Sequence, residues 1–193
     1  MGSPYAANAA EFLIRVLFGL YLLALMLRFL LGWSRADFYN PISQFLVRVT
    51  NPLLVPLRRV IPPLARIDLA SVILLLGLSV LELWLVGLVR GIALAPAGLP
   101  VLALASLIDL GLHIYLVAIL IQVILSWISP GAYSPITALL YSLNEPLLAP
   151  ARRIVPPIGG LDLSPIVVLV LLQLTSMLLV APLRDLGVGL AGG

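Results

Sequence analysis

Residues 28–71 recur without a gap 94 positions further along the chain. Trp33, Pro41, Pro52, Pro56, Arg58, Arg59, Pro62, Pro63 and Asp68 are matched by Trp127, Pro135, Pro146, Pro150, Arg152, Arg153, Pro156, Pro157 and Asp162. Nine identities at one constant offset, mostly in Pro, Arg and Trp, do not arise from shared leucine richness. The chain reads as a tandem duplication, so its fold must use one supersecondary unit twice. The repeats fall at about residues 11–93 and 105–187 of a single membrane domain covering 1–193.

Lipid is the solvent that this composition demands. The chain is 62% hydrophobic and 10% charged, with mean hydropathy +1.19. A soluble domain is about 45–50% apolar and about 25% charged. There is no cysteine, which removes thiolate-metal and Cys-nucleophile chemistry together. The net charge is +3 and every basic residue is Arg. These arginines are strung along membrane-proximal segments rather than gathered in one patch, which argues against nucleic acid and for a membrane surface. The N-terminus has no positive n-region or small-residue cleavage site, so no removable signal peptide is expected, and Ala6 stands where a myristoylation signal wants Ser or Thr.

The expected fold is all-α, with four transmembrane helices from a tandem parallel repeat of two. Leu69–Val89 is about 31 Å long at 1.5 Å per residue, and Leu163–Leu183 is its counterpart. The other spans run roughly Glu11–Trp33 and Ala105–Ile128, with Trp33 and Trp127 at the interface. Two crossings separate the halves, so they run the same way and predict a pseudo-twofold axis along the membrane normal. The loops Ser34–Asp68 and Ser129–Asp162 then share one side. They carry Arg35, Arg48, Arg58, Arg59, Arg66, Arg152 and Arg153, against Arg15, Arg90 and Arg184 on the other. This bias places the loops in the cytoplasm and the termini opposite.

Each loop predicts an amphipathic interfacial helix. Asn40-Pro41 and Ser134-Pro135 put a capping residue before a Pro at the first helical position. Ile42, Phe45, Leu46 and Val49 follow helical spacing, as do Ile136, Leu139, Leu140 and Leu143, with Ser43, Gln44 and Arg48 on the other face of the first. The helices are expected to stop before Pro52 and Pro146, because repeated Pro opposes a continuous helix. Asp68 and Asp162 are placed to cap the second and fourth spans, with Pro165 inside a first turn.

These residues carry a resemblance. Asp37-Phe38-Tyr39-Asn40-Pro41, then Thr50-Asn51-Pro52, Pro56-Leu57-Arg58-Arg59, Pro62-Pro63 and Asp68-Leu69 resemble the YggT family of bacterial and plastid inner-membrane proteins. The second copy departs from the pattern. Gly131-Ala132-Tyr133-Ser134 and Asn144-Glu145 replace Asp37-Phe38-Tyr39-Asn40 and Thr50-Asn51. The resemblance implies a multi-pass protein of the bacterial inner membrane. It implies roles in osmotic or potassium homeostasis in bacteria, and in cytochrome b assembly and nucleoid or division organisation in plastids. It supplies no catalytic residues.

Two groups of residues invite function. Arg58, Arg59, Arg152 and Arg153, with Arg48, read as contacts for anionic lipid headgroups or membrane-protein partners, against a plain topology-anchoring role. Arg15, Glu82, Asp109 and His113 predict an intramembrane polar cluster, since Arg15 and Asp109 are counterparts of opposite charge. That cluster reads as structural salt bridges, as an ion or proton path, or as side chains exposed at the interface. His113 is the single histidine, and a haem role is disfavoured without a second ligand. Gly87 and Gly91 have GxxxG spacing at a span end. No zinc motif, phosphate loop or activated nucleophile is present, so neither enzyme activity, cofactor nor metal is expected. The reading is a non-catalytic scaffold or assembly factor. The alternative is a small ion channel or transport accessory, which needs a homo-oligomer to enclose a pore.

Overall fold

The computed structural model describes residues 4–62, 68–128, 134–155 and 162–192. Pro63, Arg66, Gly131, Ala132, Tyr133, Pro156 and Pro157 lie outside them. The described residues form six helices: α1 (Pro4–Trp33), α2 (Pro41–Val60), α3 (Leu69–Arg90), α4 (Gly98–Ile128), α5 (Pro135–Ile154) and α6 (Ser164–Ala191). Helix α6 contains a π turn at Ser176–Val180. Helices α1, α3, α4 and α6 are long and apolar enough to cross a membrane. Much of their exposed surface is large apolar side chains such as Phe12, Leu17, Ile121 and Leu178, a surface suited to hydrocarbon. The first and third spans begin earlier than expected, at Pro4 and Gly98.

The two halves repeat the same packing. Helix α1 packs on α2 and α3, and α4 on α5 and α6. A shared core joins Leu22, Leu25 and Met26 of α1 with Leu75 of α3, Ile114 of α4 and Leu143 of α5. Asn40 Nδ2 donates to the Pro135 carbonyl across 2.7 Å, so the starts of α2 and α5 lie side by side and both loops sit at one end. The contacts between halves are not those of a closed twofold, however. Helix α3 packs on α4, whereas α6, its counterpart, does not touch α1 among the described residues.

The loop helices do not stop at their prolines. Helix α2 runs through Pro52 and Pro56, and α5 through Pro146 and Pro150. An interior proline loses a hydrogen bond and costs about 3 kcal/mol in a helix. Tertiary packing outweighs that propensity. Ser43, Leu46, Thr50 and Leu54 are buried on one side of α2, and Leu139, Leu143, Asn144, Leu148 and Ala151 are buried in α5. At 100° per residue, Pro52 and Pro56 fall on the side of α2 away from its buried row.

The caps form largely as the sequence indicates. Asn40 Oδ1 accepts from Ile42 N across 3.0 Å, and Ser134 makes a reciprocal capping box with Thr137. Asp68 caps α3, accepting from Ser71 N. Asp162 falls one residue early: Leu163 is the N-cap of α6, and Asp162 accepts from Ser164 N across 2.9 Å. Gly91, with φ +68°, is the left-handed cap ending α3. The Gly87–Gly91 spacing is therefore a helix terminus, with Gly87 packed against Ile92 and Leu94 of the following loop rather than another span.

Candidate functional site

The motif end of the bundle holds one device twice. Arg58, in the last turn of α2, donates to Asp68, which caps α3. Arg152, in the last turn of α5, donates from Nε to Asp162 across 2.9 Å and from Nη1 to Glu145 across 3.0 Å. Each Arg–Asp bond fastens the loop helix to the start of the next span, while the Glu145 bond lies within α5. Burial pushes the Asp68 carboxyl up, but hydrogen bonds from Arg58 and Ser71 outweigh it and hold the group below the ordinary Asp range. Asp162 behaves alike: burial raises it, and hydrogen bonds from Ser164 and Arg152 bring it down. Burial disfavours the Arg152 charge, while bonds to Asp162 and Glu145 more than restore it.

The Arg pairs are therefore divided. The first member of each is tied to an aspartate. Arg59 and Arg153 are exposed and make no ion pair among the described residues, as is also true of Arg48. On the α2 wheel, Gln44, Arg48 and Arg59 lie on the face away from the buried row, with exposed Val55 among them, and Phe45, Val49, Leu53 and Val60 lie exposed along one flank. Ser43, expected on the polar face, is buried instead, and its hydroxyl lacks a partner among the described residues. Trp33 and Trp127 are exposed at the ends of α1 and α4.

A second repeated contact was not legible as a site. Arg28, inside the first span, donates from Nη1 to Thr50 Oγ1 (2.6 Å), Asn51 Oδ1 (2.9 Å) and the Val47 carbonyl (3.3 Å). These acceptors are the turn that precedes Pro52. Its counterpart Gln122 accepts from Asn144 Nδ2 across 2.7 Å, and Asn144 is the counterpart of Thr50. A polar side chain five residues before each Trp, and a polar residue two before the first interior Pro, were the available signal.

At the opposite end, the four expected cluster residues form no single cluster, although Asp109 and His113 lie near one another. Arg15 bonds Glu11, one turn earlier in α1, across 2.7 Å. Arg90, at the end of α3, clamps the same carboxylate through Nε (2.6 Å) and Nη2 (2.9 Å). Asp109 meets instead Ser176 (3.1 Å) and Arg184 (3.4 Å) of α6, and His113, exposed, at 3.6 Å on its own helix. Glu82 is half-buried without a hydrogen bond or ion pair among the described residues, in the attractive field of Arg15. So Arg15 and Asp109 each stay within their own half. The physical reason is chain geometry: Glu11 stands one turn before Arg15 on the same helix, and Arg184, the counterpart of Arg90, reaches Asp109 from the end of its own hairpin. Glu11 was the residue missed, standing at the expected span boundary. Among the described residues no group of three His, Asp or Glu side chains could hold a metal ion.

A CCB3/YggT family model matches residues 7–89 and again residues 101–183, displaced by the same 94 positions as the repeat. The chain is 43% identical over 175 residues to an uncharacterized protein of Pseudomonas aeruginosa, covering 90% of this chain and 89% of that one. It is 44% identical to an uncharacterized protein in the proC 3' region of Vibrio alginolyticus, covering 89% and 94%. It is 40% identical to the uncharacterized protein YggT of Escherichia coli K12, covering 88% of each. No solved structure matches. The doubled Trp, Pro-x-Arg-Arg and Asp frame, the four apolar spans and these relatives agree: the chain belongs to the CCB3/YggT family.

Proposed function

We propose that this protein is a non-catalytic scaffold or assembly factor of the bacterial inner membrane. Its loop helices face the cytoplasm and its termini lie on the other side, and it holds anionic lipid and membrane-protein partners through α2 and α5. The observation that carries this is the division within each Arg pair. Arg58 and Arg152 fix the loop helices through Asp68 and Asp162, leaving Arg59 and Arg153 exposed at the same place in both repeats. A guanidinium on a fixed helix end can fork onto a phosphate with little ordering cost. The exposed apolar flank of α2 beside its Arg face suits a helix lying in the headgroup plane. The excess of Arg at the motif end supports the cytoplasmic placement. The channel alternative has less support, because the far-end charges are divided between two separate ion-paired sets.

The test is thermal unfolding in lipid nanodiscs of phosphatidylcholine with and without phosphatidylglycerol. The expected result is an anionic-lipid rise in Tm that Arg59→Gln with Arg153→Gln abolishes, while Arg58→Gln lowers Tm in both lipids. A double variant that keeps the full rise would overturn the lipid role of the second arginines.

A further inference from the structure

The halves of the chain meet through a one-sided interface. Helix α3 packs on α4 and α1 on α5, yet neither their mirror contact α6 with α1 nor α4 with α2 exists among the described residues. A closed twofold would make each contact twice; a head-to-tail contact leaves one face open at each end. Both open faces can be located by comparing counterparts. On α4, Leu107 and Ile114 are each 8% exposed, whereas Leu13 and Leu20, at the same places in α1, are 58% and 62% exposed. On α3, Ser79 is 2% exposed and Leu83 half-covered, whereas their counterparts on α6, Gln173 and Met177, are exposed. Helix α3 touches α1, α2 and α4, while among the described residues α6 touches only the counterparts of the first two. The extra cover on α3 is therefore α4.

Gln173 is an independent sign that the α6 face is covered. It lies about 14 Å into α6, near the middle of a ~30 Å hydrocarbon core. Its side-chain amide is exposed there and has no partner among the described residues. Such a group is costly against lipid and is met in membranes by a neighbouring helix.

We infer that a second copy of this chain docks head to tail on these faces, α6 of one copy taking α1 of the next as α3 takes α4 within the chain. The exposed α1 row is of the same kind as the α4 row that α3 already accepts, with Leu13 and Leu20 in the places of Leu107 and Ile114. Two copies related by a twofold bury both open faces of each chain and leave no unmatched end. This inference stands apart from the lipid reading, which concerns the loop helices.

The native chain has no cysteine, so disulfide trapping reports directly on the contact. Leu20 and Met177 each lie about 20 Å from the motif end of their helix, level with one another. Leu20→Cys on one tagged copy and Met177→Cys on another, co-expressed and oxidised in native membrane vesicles, are expected to give a crosslinked dimer. The yield should be at least fivefold above either variant alone, and above Leu20→Cys with Leu171→Cys on the other side of α6. No dimer from the mixed pair, or equal yield from Met177→Cys alone, overturns the inference. The unmodified protein in nanodiscs is expected to hold two copies by mass photometry, and a single copy overturns it independently of any variant.

Discussion

Arg152 donates from Nε to Asp162 across 2.9 Å, tying the last turn of α5 to the chain entering α6, as Arg58 ties α2 to the cap of α3. Both carboxyls are held below their unfolded value, so their contribution is complete above about pH 5 and is lost as pH falls through the folded pKa. The side chains are 24–42% exposed, which limits each pair to about 0.2–1 kcal/mol. Thermal unfolding in nanodiscs between pH 7 and pH 3 is expected to show a steeper loss of Tm for the native protein than for Asp68→Asn with Asp162→Asn. Asn keeps the capping acceptor, so the difference in slope isolates the charge. Equal slopes would remove these pairs from the account of acid stability.

Gln122 and Asn144 are both buried, and the Asn144 Oδ1 lacks a donor among the described residues. Gln122→Leu would strand the Asn144 amide as well, a loss of about 1–3 kcal/mol. Adding Asn144→Leu removes the stranded group, and the double variant is expected to lose clearly less than the sum of the two singles. A double-mutant cycle read by reversible unfolding in mixed micelles checks this, with additivity as the contrary result.

The far-end charges give a swap experiment. Glu11 is held by Arg90 across the bundle and by Arg15 along its own helix. Glu11→Arg with Arg90→Glu is expected to recover part of the Tm lost by either single change, restoring the contact across the bundle but not the one with Arg15. Arg15→Asp with Asp109→Arg is expected to recover nothing, because the two side chains belong to separate ion-paired sets. Recovery by the second exchange alone would restore the single cluster that sequence position suggests.

The repeat, the four spans and the caps at Asn40, Ser134 and Asp68 were legible because each is set by local chemistry: hydropathy over about 20 residues, or a polar side chain beside its own backbone. The course of α2 and α5 through Pro52 and Pro146 was not legible, because burial of Leu46, Thr50 and Leu54 or of Asn144 and Leu148 depends on where distant helices stand. For the same reason sequence position paired Arg15 with Asp109. Counterparts in a duplication need not meet, since the interface between halves can be head to tail. Residues such as Arg28 and Gln122 were hidden by a different cause. Each is a lone polar group in an apolar run, and only the partner on the loop helix gives it meaning.

Gly98 opens α4 where the end of α6 passes closest. A Cβ built there would lie 2.5 Å from the Cβ and backbone nitrogen of Ala191, so the obstruction is main chain that cannot swing aside. The neighbouring bond from Ala95 N to the Ala191 carbonyl, 3.0 Å, holds the same two segments together. Gly98→Ala must part them, and overpacking of this kind costs about 1–3 kcal/mol. Gly32 offers the control within the same protein, since a Cβ there meets nothing within 4 Å. Gly32→Ala in the last turn of α1 is expected to leave stability unchanged or raise it by up to about 1 kcal/mol through helix propensity. Thermal unfolding of the two variants side by side decides whether the close approach of α4 and α6 holds the second half together. If Gly98→Ala melts with the native protein, the end of α6 is free to move and contributes little to the bundle.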